Sequence, residues 1–148
     1  MRSRTVRDAH TSPLGASEAT PSGYEVVVKG GRERTGLDNV EFAGFVENVE
    51  DYLAAFNVFV YPSLREGLGS SILDAMHFGL PIVASDVGGI PEIVEDRVNG
   101  LLVRPDDPAD FASALERVVA DPALRASMSR QNRQKAAHYG AARMADSY

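Results

Sequence analysis

NVFVYPSLREGLGSSILDAMHFGLPIVASDVGGIPEIV, residues 57–94, alternates two kinds of pattern within one continuous stretch. NVFVY and PIVAS are short apolar runs of strand type, rich in β-branched and aromatic residues. The segment between them, from near Ser70, carries helical spacing and stops at Gly79, because glycine tolerates the left-handed cap and Pro81 cannot continue a helix. A glycine-containing loop thus links strand to helix, and a glycine pair, Gly88-Gly89, links the next strand to the next helix.

The same alternation extends outward from this block. YEVVV and VEFAG precede it and GLLV follows it, with helical patterns between, which is the signature of a parallel sheet with crossover helices. Asp107-Pro108 gives an N-cap and a first-turn proline, after which Phe111, Leu115, Val118 and Val119 share one helix face. Asp121-Pro122 repeats that start signal and predicts a last helix turning Leu124 and Met128 inward. The predicted class is α/β, a single Rossmann-like open parallel sheet with flanking helices. Residues 24–148 form the domain in this reading. Residues 1–23, rich in Ser, Thr, Ala, Pro and Gly, read as a disordered leader that limited proteolysis trims first.

Composition narrows the function classes. The chain has 148 residues, 44% of them hydrophobic, enough for one core but short for two full domains. Its formal net charge of -6 lacks the electrostatic footprint of a sequence-independent nucleic-acid binder. With no cysteine there is neither a disulfide framework nor a thiolate metal site. No apolar run is long enough to span a bilayer, and Arg2, Arg4 and Arg7 are not followed by the apolar stretch of a signal peptide. The expected location is cytoplasmic.

Candidate chemistry lies where the two glycine loops meet. In an open α/β sheet, ligands bind outside the carboxyl ends of the strands, and both loops belong there. Gly67 and Gly69 leave room for close approach, and the following helix offers free N–H groups and the positive end of its dipole to a diphosphate. A plain turn and cap would carry the same glycines. Glu66 stands before them and Asp74 eight positions later, so acceptors for hydroxyl groups bracket the phosphate-binding amides. A nucleotide sugar has that layout. Equally, Glu66 reads as a solvated loop acid and Asp74 as an acid on the helix face.

The order of matches resembles the GT-B glycosyltransferases of family four, also called group one. Pro62-Ser63, Glu66-Gly67-Leu68-Gly69, Asp74-Ala75-Met76, Gly79-Leu80-Pro81 and Gly88-Gly89-Ile90-Pro91-Glu92 follow that family's pattern, whose hallmark is two acids separated by seven residues. VEFAGFV before the block and NGLLVRPDDPADFASAL after it extend the likeness to roughly residues 24–148. The resemblance implies the C-terminal half of a GT-B fold, which binds a UDP-, GDP- or ADP-linked sugar for transfer to an acceptor hydroxyl with retention and without a metal or other cofactor. It implies that Glu66 meets the transferred sugar and Asp74 the ribose. The amides of Gly67, Leu68, Gly69, Ser70 and Ser71 would meet the diphosphate, and Gly44, Phe45 and Val46 the nucleobase. His77 reads as a surface or half-buried residue, Glu92 as a helix-start acid, and Met76, Phe78 and Leu80 as core.

Three departures from the family pattern set further expectations. The second acid is Asp, shorter than Glu by one C–C bond, roughly 1.5 Å. YEVVV matches the family's second strand, so the domain is expected to be truncated at its start, without the first strand and the loop that supplies an Arg and a Lys to the diphosphate. Gly30 to Asn39 is also at the short limit for a parallel crossover. The family's N-terminal, acceptor-binding domain is missing from the chain, which predicts no transfer by this chain alone and a possible separate chain supplying that half. The alternatives are a non-catalytic nucleotide-sugar-binding module and an inactive remnant of a broken gene.

Overall fold

The computed structural model describes residues 4–8, 25–29, 40–44, 47–65 and 69–146. In chain order they form β1 (Arg4–Asp8), β2 (Glu25–Lys29), β3 (Val40–Gly44), α1 (Val49–Ala55), β4 (Val58–Tyr61), α2 (Ser70–His77), β5 (Ile82–Ser85), α3 (Ile90–Ile93), β6 (Gly100–Val103), α4 (Pro108–Ala120) and α5 (Pro122–Asp146). The strands make one sheet in the order β3-β2-β1-β4-β5-β6, every pairing parallel. This is the Rossmann-like open sheet that the alternating pattern predicts.

One expectation is overturned. Arg4–Asp8 lies inside the predicted disordered leader, yet it forms β1 at the centre of the sheet, with Val6 opposite Val27 of β2 on one side and Phe59 of β4 on the other. The domain therefore has a strand before YEVVV, and β2 is its second strand as the spacing to VEFAG implied. The remainder of the predicted leader lies outside the described residues, as does the connection 30–39 between the parallel strands β2 and β3. The reason β1 escapes a sequence reading is compositional. Central parallel strands normally read as continuous apolar runs, whereas RTVRD carries three charges and one large apolar residue. What holds it is hydrogen bonding of its backbone to two neighbours, a term with no composition signal.

Side chains of β4 alternate between two cores, as the period of a strand requires. Phe59 and Tyr61 join Ile82, Ala84, Ile72, Met76 and Ile90 on the α2–α3 face. Val58 and Val60 join Val83, Leu101, Phe111 and Val118 on the α4 face. Ile72, Met76, Ile82, Val83 and Val118 are fully buried, and each such side chain contributes about 1.5–3 kcal/mol from apolar burial.

The helix ends obey their predicted signals. Asp107 Oδ1 accepts from Asp110 N at 3.0 Å, and Asp121 Oδ1 accepts from Leu124 N at 3.0 Å. Gly79 ends α2 in the left-handed region at φ 66. Met128 is buried in the α4-side core, Leu124 packs beside it, and Ala136 and Tyr139 of the same helix pack on the α2–α3 side. Helix α5 therefore straddles the amino edge of the sheet. Asn132, midway and fully buried, ties it there: its Nδ2 donates to Leu80 O at 2.7 Å and Asn99 O at 2.8 Å, while its Oδ1 accepts from Asn99 Nδ2 at 2.9 Å. No helix among the described residues is long and apolar enough to cross a membrane.

Candidate functional site

From β1 the chain steps outward to β2 and β3, then returns to lay β4 on the opposite side of β1. The gap between β1 and β4 is thus the switch point of the sheet, and in such folds a crevice opens there at the carboxyl ends. Recognising β1 is what locates it. The segment described from Pro62 to Arg65 leaves β4 at this point, and the segment from Asp86 to Gly89 leaves β5 beside it. The two glycine loops are therefore neighbours at one edge, as their sequence positions suggested.

The loop after β4 turns early. Ser63 is buried, its N–H donates to Tyr61 O at 3.1 Å and its Oγ to Arg65 O at 2.8 Å, which sends Leu64 and Arg65 out to solvent. The segment ends at Gly69, the N-cap of α2, held at φ 61 and ψ 52 in the left-handed conformation. A side chain at that position would be strained, so glycine here meets a backbone requirement. Among the described residues no side chain caps α2, and no acid stands in its first turn, so its positive end, led by Ser70 and Ser71, faces the switch point uncompensated by the helix's own residues.

Asp74 lies one turn further along α2 and is exposed. It lines an open groove of about 350 Å³ with Val49, Glu50, Leu73, His77 and Tyr139. Val49 and Glu50 open α1, the helix that follows β3. The groove therefore lies between the side of α2 that carries Asp74, the start of α1 and the Ala136–Gly140 stretch of α5. Glu66, Gly67, Leu68, Phe45 and Val46 lie outside the described residues. His77 is exposed, Met76 and Leu80 are buried, and Phe78 packs against the same core. Glu92 is exposed in the first turn of α3.

Sequence reading missed two features of this edge. β1 brings Arg7, one residue from its carboxyl end and opposite Val60 of β4, to the switch point. Ser85, at the carboxyl end of β5, is 1% exposed and its hydroxyl has no hydrogen-bond partner among the described residues. A hydroxyl ending an apolar strand just before a glycine pair was the available signal.

The model of the family described as glycosyl transferases group 1 matches residues 11–121. The chain belongs to this family. The match begins before Tyr24, in agreement with a domain that includes sequence upstream of β2. The chain is similar to D-inositol 3-phosphate glycosyltransferase of Streptomyces avermitilis, 35% identical over 143 residues, covering 95% of this chain and 30% of that protein. It is also similar to alpha-maltose-1-phosphate synthase of Mycobacterium tuberculosis, 39% identical over 110 residues, covering 70% of this chain and 28% of that one. It spans less than a third of the length of either. Among solved structures, sucrose-phosphate synthase from Thermosynechococcus elongatus superposes with a TM-score of 0.78 at 26% identity, covering 93% of this chain and 41% of that one. Anabaena HepE, solved with UDP-glucose, gives a TM-score of 0.80 at 21% identity over 93% of this chain and 44% of its own, a likeness of fold. This group 1 glycosyl transferase chain thus carries the one Rossmann-like half described above.

Proposed function

We propose that this group 1 domain binds the donor of a retaining sugar transfer, a nucleoside-diphosphate sugar, without a resident metal. The observation that carries the reading is the uncapped start of α2 behind a left-handed Gly69, set at the switch point of the sheet. In this reading the amides from Gly67 to Ser71 hold the diphosphate and Glu66 meets the sugar. Asp74 holds the ribose, and the turn at Gly44, Phe45 and Val46 holds the base. Two features support the division. Gly44 ends β3, three strand spacings from β4, a span of roughly 14 Å. Asp74 shares its groove with Val49 and Glu50 of the first turn of α1.

Transfer asks more than binding. Charge grows on the leaving diphosphate as the glycosidic bond breaks, and stabilising it is commonly the largest catalytic contribution. We assign that work to Arg7, a residue of the strand that borders the switch point. An acceptor hydroxyl must also be held near the anomeric carbon, and that positioning is worth about 7–11 kcal/mol. We assign it to a separate acceptor-binding domain. The domain alone therefore binds a donor and transfers nothing.

Thermal denaturation with UDP-, GDP- and ADP-glucose tests the reading directly. A ligand at 100 times its dissociation constant adds about 2.7 kcal/mol to stability, and one of the three is expected to do so. No shift with any of them would leave the remnant reading standing. A radiolabelled-donor assay over a broad acceptor panel should give transfer only when the acceptor-binding domain is supplied.

A further inference from the structure

The edge of the sheet opposite the switch point carries its own groove. The turn from Glu95 to Asn99 leads into the amino end of β6, and together with α5 it encloses about 530 Å³. Its floor is rigid. Asn99 is 1% exposed, accepts from Glu95 N at 2.6 Å, and donates to Ile93 O at 3.1 Å and to Asn132 Oδ1 at 2.9 Å. Every polar atom of that amide is engaged in holding the turn against α5.

The helical wall is chemically different. Gln131, Gln134, Lys135 and His138 fall at spacings that share one helix face, and all four line the groove. Lys135 is half-buried, and among the described residues no ion pair or hydrogen bond engages it. Glu95, on the facing wall, stays beyond ion-pair reach of it. The amides of Gln131 and Gln134 are likewise without partners among the described residues, and both residues are exposed. Lys135 on α5 and Glu95 on the turn face the groove as its charged residues, with His138 one turn from Lys135.

We propose that this amino-edge groove is a second binding site, for a phosphorylated sugar. The ammonium of Lys135 and the imidazole of His138, one turn apart, supply nitrogen donors to a phosphate. Gln131 and Gln134 offer both donors and acceptors to ring hydroxyls, and the Glu95 carboxylate accepts from them across the groove. The site stands apart from the donor crevice and does not rest on the donor reading.

Amide chemical shifts of the full 148-residue chain, titrated separately with glucose 1-phosphate, glucose and inorganic phosphate, test it. Glucose 1-phosphate is expected to produce saturable shifts confined to residues 95–99 and 131–138, with both fragments binding more weakly. Lys135→Gln should weaken binding at least about tenfold, the loss of one hydrogen bond to a charged group, without changing the melting temperature. Gln134→Ala, an exposed change on the same wall, should weaken it less. Equal binding of inorganic phosphate would remove the sugar from the proposal and overturn it. So would shifts limited to the loops after β4 and β5, the absence of saturation at millimolar ligand, or wild-type affinity in Lys135→Gln.

Discussion

The two halves of the sheet were built by different kinds of information. From β4 to β6, each strand is an apolar run, each helix has its own stop or start residue, and the side chains of β4 alternate cleanly between two cores. On the other side of the switch point, β1 carries more charge than apolar surface and nevertheless occupies the centre of the sheet. Local signals specify the first half. On the other side β1 is specified by pairing, because a strand flanked on both sides satisfies its backbone groups whatever its side chains are.

The strongest way to break that contrast is to delete residues 1–23. If they were a dispensable leader, urea denaturation of the shortened chain would match that of the whole. Because β1 pairs with both β2 and β4, its loss should instead separate β2–β3 from the rest and abolish a single cooperative transition. An unchanged midpoint and slope would show that β1 contributes nothing to stability.

Next in size is Glu66→Gln in a fusion that restores the acceptor-binding domain. Removing one preorganised charge at the reacting centre should lower turnover by about 10²–10³, the usual cost of losing such a group. Near-full turnover would return Glu66 to a solvated loop acid and leave the well-signalled half of the sheet without its sharpest functional residue.

Asn132→Leu probes the join between the halves of the core. The substitution strands Leu80 O, Asn99 O and the Asn99 amide in a buried site, each group costing about 1–3 kcal/mol when left unpaired. The chain should lose several kcal/mol in chemical denaturation, and α5 should exchange its amide hydrogens faster. A loss below about 1 kcal/mol would mean that water or a rearranged turn replaces those bonds.

Much of this architecture is legible in the residues themselves. Gly79 before Pro81 stops α2, Asp107 and Asp121 cap the helices that follow them, and Gly69 requires the backbone conformation that only glycine adopts freely. The matched order of Glu66, the glycines and Asp74 carries the resemblance to group 1 glycosyl transferases, the family whose model matches the chain. What stayed hidden depends on distance in sequence. Asn132 reads as one polar residue in a polar helix, and its partners lie 33 and 52 positions away. The switch point stayed hidden for the same reason, since it exists only once β1 is inserted beside β4.

The smallest effect expected is also the one that separates reach from environment. Asp74 stands where the family pattern has Glu, on a helix position that is exposed and borders the groove shared with α1. Its carboxylate is shorter by about 1.5 Å, half the length of a hydrogen bond, so a ribose placed for Glu would be held through a stretched contact or a bridging water. Asp74→Glu restores the reach without disturbing a buried neighbour, and helix propensity slightly favours Glu. Calorimetry with the same nucleotide should therefore show binding tighter by up to about tenfold, the worth of one hydrogen bond to a charged group. The melting temperature without nucleotide should barely move. Both carboxylates bear the same charge, so a general electrostatic role would predict no change in affinity at all. Weaker binding would carry a different lesson: the groove beside α1 has closed around the shorter acid, and this half of the sheet has adapted its site as well as its strands.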